Sequence, residues 1–259
     1  MPELIEPGAT LSAQQVDTLN TRFAGAPPQD ILTWALAEFH PRIALASSFG
    51  AEDVALIDML DKINPSARVV TLDTLRLHTE TYDLIDRVRA RYSLEVEAFY
   101  PDLASVDAFV RERGYNCFYA SVDNRKACCG IRKLEPLERA LAGLDAWMTG
   151  LRRDQTATRA DVQPIEIDDV HGNIIKVNPL AGWTNEQVWA YIREHDVPYN
   201  ALHDVGYPSI GCEPCTRAVA ADEDPRAGRW WWEQDADAKE CGIHVAYDAD
   251  GKPRLVRGA

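Results

Sequence analysis

Apolar residues recur along the first three quarters of the chain at two alternating spacings, one helical and one extended. Before Arg42, Val16, Leu19 and Phe23 fall at helical spacing, and Pro27-Pro28-Gln29-Asp30 opens a second helical run with prolines and an acid in its first turn. Residues 42–49 form a short apolar run that reads as a strand. Gly50 closes it, and residues 51–63 return to a helical stripe. The same alternation continues: a strand over 68–73, a helix through Glu80 and Tyr82 to Tyr92, a strand over 95–101 and a helix over 104–113. Residues 146–151, 164–167 and 174–180 extend the sheet, and 184–195 form a helix with Thr184 as its cap. Strands alternating with helices of this length predict an α/β domain built on a parallel sheet of right-handed βαβ units. From Pro198 onward the periodicity fails. The stretch through Cys212, Cys215, Arg229-Trp230-Trp231-Trp232 and Cys241 reads as a functional extension, a mobile tail of the same domain. The expected division is therefore 1–40 for the N-terminal helices, 41–200 for the α/β core and 201–259 for the extension.

Composition narrows the class. A chain of 259 residues can bury ~70–75% of its unfolded surface and needs no disulfide staples. No run approaches ~18 consecutive apolar residues, so no membrane span is expected. The acidic start lacks the apolar core of a secretory signal, which predicts a cytoplasmic protein whose thiols stay reduced. With 27 basic against 41 acidic residues, the net charge of −14 argues against nucleic-acid binding. Charge is unevenly spread, however. Between Arg125 and Arg159 there are eight Lys or Arg and four acids, which fits either a focused anion site or salt-bridged helices.

Six cysteines carry the candidate chemistry. Cys212-Glu213-Pro214-Cys215 puts two thiols within one turn, as a redox pair, half a zinc site or half a cluster site would. Cys128 and Cys129 bring the number to four. Adjacent residues of a helix diverge by roughly 100°, so both reach one centre only if it is wide and the backbone is locally tuned. A four-iron cube, a zinc ion and simple packing of buried thiols all remain open at this point. Cys241 stands apart in Lys239-Glu240-Cys241-Gly242-Ile243-His244, where neighbouring cations favour the thiolate and hence a nucleophile. Cys117, in an apolar run, reads as structural.

Taken in order, several motifs resemble the adenylyl-sulfate (APS) reductases, the iron–sulfur branch of the APS/PAPS reductase family. They are Ser47-Ser48-Phe49-Gly50-Ala51-Glu52-Asp53, Leu72-Asp73-Thr74, Glu80-Thr81-Tyr82, Cys128-Cys129-Gly130-Ile131-Arg132-Lys133-Leu134-Glu135-Pro136-Leu137, Thr149-Gly150-Leu151-Arg152-Arg153-Asp154-Gln155, Asn178-Pro179-Leu180, the Cys212/Cys215 pair and Glu240-Cys241-Gly242-Ile243-His244. The resemblance spans nearly all of the chain after Arg42. It implies an adenine nucleotide α-hydrolase-like (PP-loop) fold with helices on both faces of the sheet. It also implies one 4Fe-4S cluster on Cys128, Cys129, Cys212 and Cys215, and thioredoxin or a glutaredoxin-like thiol donor as partner. The implied reaction is reduction of APS to sulfite and AMP through an S-sulfocysteine on Cys241, in sulfate assimilation for cysteine biosynthesis. A homo-oligomer is compatible with it. The alternatives are reduction of the 3′-phosphorylated substrate PAPS, or a cluster-bearing ATP pyrophosphatase of the tRNA-thiolating kind.

Residue chemistry assigns the substrate contacts. Ser47, Ser48, Phe49 and Gly50 lie between a strand and a helix N-terminus, where N–H groups can cradle a phosphate. Phe49 stands where the SGGxDS loop of ATP pyrophosphatases has a glycine, which suits a smaller monophosphate. Leu72, Asp73 and Thr74, at the next strand end, are expected at the adenosine. Gly150, Arg152 and Arg159 follow another strand end, and Arg159 is favoured over Arg152. Lys133, Arg226 and Arg229 are the expected anion ligands, with Arg125 and Lys126 placed to offset the charge of a cluster. His244 is expected to bind sulfate or to position Cys241.

Overall fold

The central sheet of the computed structural model has strand order β3-β2-β1-β4-β6-β5, with β1 Ile43–Ser47, β2 Arg68–Leu72, β3 Val96–Phe99, β4 Ala146–Met148, β5 Ile165–Asp168 and β6 Ile174–Val177. The structure describes residues 11–233, 242–243, 245–247 and 253–255. Pairing is parallel from β3 through β6, as the strand–helix alternation requires. The last strand departs from that expectation: β5 runs antiparallel to β6. Its connection is too short for a crossover. Asp168 instead closes a tight turn, its Oδ1 accepting from the Val170 and His171 N–H groups, and Gly172 and Asn173 take positive φ of 82° and 59°.

Eight α-helices are described: α1 Ala13–Arg22, α2 Pro28–Phe39, α3 Ala51–Ile63, α4 Thr79–Arg91, α5 Leu103–Arg113, α6 Val122–Cys129, α7 Glu135–Leu141 and α8 Asn185–Glu194. Thr184 caps α8 through a reciprocal box with Gln187, as its position in the sequence predicted. Because strand side chains alternate, the strands feed two cores. Ile43, Leu45 and Val69 face a large one that also takes residues of α1, α2, α3 and α8. Ala44, Val70 and Trp147 face a smaller one closed by Leu137, Ala140 and Leu141 of α7. Helices thus cover both faces. The α6–α7 segment was not foreseen as helix. Its two helices are joined without a break by a π-helical turn, Gly130–Leu134.

The extension is also more ordered than its lost periodicity implied, with short turns at Ala201–Val205 and Glu213–Cys215 and a hairpin of β7 Val245–Tyr247 and β8 Pro253–Leu255. Residues 234–241 and 244 lie outside the described residues, and with them Cys241, His244 and the expected mobile part of the tail. No described helix is long and apolar enough to cross a membrane.

One buried carboxylate ties three helices together. Asp58 of α3 accepts from Tyr191 of α8 at 2.6 Å, from the Tyr92 hydroxyl just after α4 at 3.1 Å, and from Lys62 at 2.6 Å. Burial and the Asp58 charge push both phenols well above their usual range, so they act as donors at every physiological pH. Asp58→Ala leaves two phenol donors without their acceptor, at about 1–3 kcal/mol each. The expected result is a loss of about 3 kcal/mol in urea unfolding, with nucleotide binding retained at low denaturant.

Candidate active site

The order of the sheet reverses direction between β1 and β4, and ligands of open α/β sheets bind at the strand ends beside such a point. A cleft of about 720 Å³ opens there, between the loop after β1 and the loop after β4. Gly150, in the second loop, lies against Glu52 and Asp53 at the start of α3 so closely that a Cβ would collide with their side chains. Only glycine lets the two loops meet.

The first loop is wired differently from a phosphate cradle. Asp53 Oδ2 accepts from Ser48 N at 2.6 Å and from Ser48 Oγ at 2.8 Å, and Phe49 N donates to Ser47 Oγ at 3.1 Å. The amides of Ser48 and Phe49 are therefore committed inside the loop. Ser47, Ser48 and Gly50 line the cleft. Phe49 does not: at φ 58° it turns its ring into the large core, where it is 1% exposed. Burial raises the Asp53 carboxyl to about 6 against the Ser48 hydrogen bonds, with the nearby Glu52 charge adding to the rise.

Other expected contacts divide in the same way. Leu72 and Thr74 line the cleft, whereas Asp73 is spent on the turn, its Oδ1 accepting from Leu75 N and from the Tyr82 hydroxyl at 2.8 Å each. Arg152 is in the cleft wall but bound to Glu52 through Nε at 2.9 Å and Nη2 at 2.8 Å, with Gln155 donating to the same carboxylate oxygen. Arg159 is buried, lines the cleft and donates to Gln155 Oε1 at 2.6 Å. Arg226 and Arg229 close the opposite wall.

Behind that wall is a second, much smaller cavity of about 20 Å³, onto which Cys128, Cys129, Cys212 and Cys215 all open. The π-helical turn follows Cys129 at once, which is the local tuning that two adjacent ligands on a helix need. Arg76, Arg125, Arg132, Lys133 and Arg229 line it as well, and Phe118, Pro214 and Trp230 complete it. Burial pushes the Cys215 thiol up to about 12 and also raises Cys128, while Lys133 and Arg229 pull Cys215 down, and Arg132 and Arg76 pull Cys128 down. Four soft sulfur donors inside a cationic shell fit a metal–sulfur group that takes them as thiolates. The loop after β2 joins both cysteine segments: Thr74 Oγ1 is 3.2 Å from Cys212 Sγ, and Arg132 Nη1 donates to Thr74 O at 2.8 Å. Lys133 and Arg229 line both cavities. They form a shared wall.

Some of the site was not anticipated. Glu52 and Asp53 organise the two loops, and two acids in a first helical turn were a signal that could have marked them. His203 also lines the cleft, its Nε2 buried without a hydrogen-bond partner among the described residues, beside Trp189 at 5.1 Å between rings. Nothing in its sequence setting distinguished it. Ile243 reaches the cleft next to Leu137, which brings the chain just beyond Cys241 to the same place.

The fold defines an α/β domain of the PP-loop type, with its cleft at the strand ends. The chain belongs to the phosphoadenosine phosphosulfate reductase domain family, which matches residues 42–218. It is 52% identical over 216 residues to the adenosine 5′-phosphosulfate reductase of Burkholderia cepacia, covering 83% of this chain and 86% of that one. It is 49% identical to the enzyme of that name from Allochromatium vinosum, over 92% of this chain and 91% of the other. Among solved structures, the phosphoadenylyl-sulfate (PAPS) reductase of Candida auris, a phosphate complex, superposes with a TM-score of 0.70 at 33% identity, covering 82% of this chain and 99% of that one. An FMN adenylyltransferase of Candida glabrata shares the fold alone, with a TM-score of 0.53 at 15% identity over 90% of this chain and 78% of that one.

Asp53 yields a pH test. Its folded value, about 6, lies above the ordinary 3.8, so its contribution to stability is complete below pH 4 and is lost as pH rises through 6. The gap corresponds to about 3 kcal/mol. Urea unfolding of the wild type and of Asp53→Asn, compared at pH 4 and pH 7, should show the wild type losing that amount relative to the variant. Parallel pH profiles would contradict the assignment.

Proposed function

We propose that this enzyme reduces adenosine 5′-phosphosulfate to sulfite and AMP, with Cys241 as nucleophile, in sulfate assimilation leading to cysteine. The observation that carries the proposal is the wall of Lys133 and Arg229 between a nucleotide-sized cleft and a four-thiol cavity. Cations at that wall are placed to hold a phosphosulfate while the adenosine occupies the cleft. The substrate choice follows relatives of 49–52% identity named for APS, against 33% for the structure named for PAPS.

The electron balance needs only thiols. The Cys241 thiolate attacks the sulfur, the bond from sulfur to the bridging phosphate oxygen breaks, and AMP leaves with the electron pair. A thiolate of a dithiol donor, thioredoxin or a glutaredoxin-like protein, then attacks Cys241 Sγ and sulfite leaves with the next pair. The donor's second thiol closes the donor disulfide and frees Cys241. The cytoplasm, where such donors are kept reduced, is the matching compartment. Lys133, Arg159, Arg226 and Arg229 neutralise the phosphate and sulfate oxygens, and Ile243 anchors the chain beyond Cys241 at the cleft.

Cys128, Cys129, Cys212 and Cys215 hold one 4Fe-4S cluster in this proposal. The cationic cavity and the π-helical turn that follows Cys129 support it. When bound, the cluster supplies fixed negative charge against which Lys133 and Arg229 are held. Iron and sulfide analysis of anaerobically purified protein should give four of each per chain, and Cys212→Ser should lose them.

Intact-protein mass spectrometry after APS addition, without thiol donor, should show a sulfite adduct in the wild type and none in Cys241→Ser. An adduct in both sinks the nucleophile assignment. Faster sulfite release from PAPS than from APS would point instead to the phosphorylated substrate.

A further inference from the structure

Arg229 is 7% exposed, and its Nε is buried with no hydrogen-bond partner among the described residues. Its Nη1 lies within reach of Ser209 Oγ at 3.2 Å and Ile210 O at 3.4 Å, both long contacts for a guanidinium. Gly211 packs flat against the same group, leaving no room for a Cβ. A buried cation with a spare donor, lining a cleft, is suited to an anion. What fixes its orientation lies among the residues that line the cysteine cavity with it.

The Arg229 guanidinium carbon is 4.7 Å from the centre of the Trp230 ring, and that of Arg125 is 4.8 Å from the same ring. Trp230 is 1% exposed and sits at φ 43°, a left-handed conformation that costs about 1–3 kcal/mol in a bulky residue. Its backbone N–H reaches Cys215 O at 3.2 Å. Two guanidiniums on one buried indole would repel each other, but Glu233 removes one of the charges. Its carboxylate takes Nε and Nη2 of Arg125 at 2.9 Å each, in a pair whose side chains are 1% and 4% exposed. The Glu233 N–H in turn donates to Trp230 O at 2.9 Å. Arg125 lies on α6, one turn before Cys128.

We infer that the Arg125–Glu233 ion pair is a positioning device: it locks Trp230 against α6 and thereby holds Arg229 at the cleft wall as the cation that receives the substrate's anionic group. Arg125 and Glu233 touch no substrate. They act through Trp230 and Arg229. The inference rests on the anion-binding role given to Arg229 above, and the experiment below separates the two.

The probes are AMP and adenosine, titrated by calorimetry against iron-loaded wild type and Glu233→Gln, with iron content and melting temperature as controls of integrity. Wild type should bind AMP at least tenfold more tightly than adenosine; equal affinities would overturn the anion role of Arg229 itself. In Glu233→Gln the AMP affinity should fall about tenfold while adenosine affinity is unchanged. The sign is informative. If Glu233 acted only through its charge, removing it would make the wall more positive and AMP would bind more tightly. Unchanged or tighter AMP binding therefore overturns the positioning role. Arg125→Lys keeps the charge but loses the two-pronged pairing, and it should lower AMP affinity in the same direction, so the test survives poor folding of the Gln variant. Glu233→Asp should restore part of the loss.

Discussion

Lys133 and Arg229 face two cavities at once, and most of the architecture serves to keep those two cations where they are. Taking a charge out of water costs several kcal/mol unless a partner or a hydrogen-bonded group meets it. The chain meets that cost differently at four of its buried arginines. Arg152 has Glu52, Arg125 has Glu233, and Arg132 has the Thr74 carbonyl. Arg229 is left with long contacts and a spare Nε donor. The asymmetry distinguishes Arg125, Arg132 and Arg152, which build the site, from Arg229, which can serve it. Lowering the charge on the cysteine side and on the cleft side is then one electrostatic problem with one solution.

The same logic explains why glycine and acidic residues sit where an ordinary phosphate loop would have free amides. Asp53 takes the Ser48 donors, Phe49 is turned into the core, and Gly150 lets the β4 loop close against α3. The strand ends thereby form the floor of the cleft, and in the proposed function the anion contacts fall to the wall carried by the π-helical turn and the extension. Positioning at that wall comes from chain segments far apart in sequence, joined by the loop after β2 through Thr74.

The sheet and the helices around it were legible because their apolar residues keep one period each, as in residues 51–63 or 68–72. The α6–α7 segment was not, for a physical reason. Its early buried positions are Arg125 and Arg132, so the hydrophobic stripe that marks a helix is absent until Leu137. The antiparallel β5 was missed because strand composition carries no direction, and the turn chemistry at Asp168 decides it. The four cysteines, Lys133 and Arg229 were readable as residue types, and the structure brings them together. Phe49 and Asp73 were assigned to the substrate from motif position, and the structure gives them to the core and to a turn. Glu233 was invisible, since nothing local links it to a residue 108 positions away.

The central claim is that one cationic wall serves both cavities, so a change at Lys133 must be felt on both sides. Iron content and APS affinity, measured on the same anaerobic preparation of Lys133→Ala, test this most directly. The shared wall predicts that both fall together relative to wild type. Full iron retention with weakened APS binding, or the reverse, would separate the two sites and contradict the account.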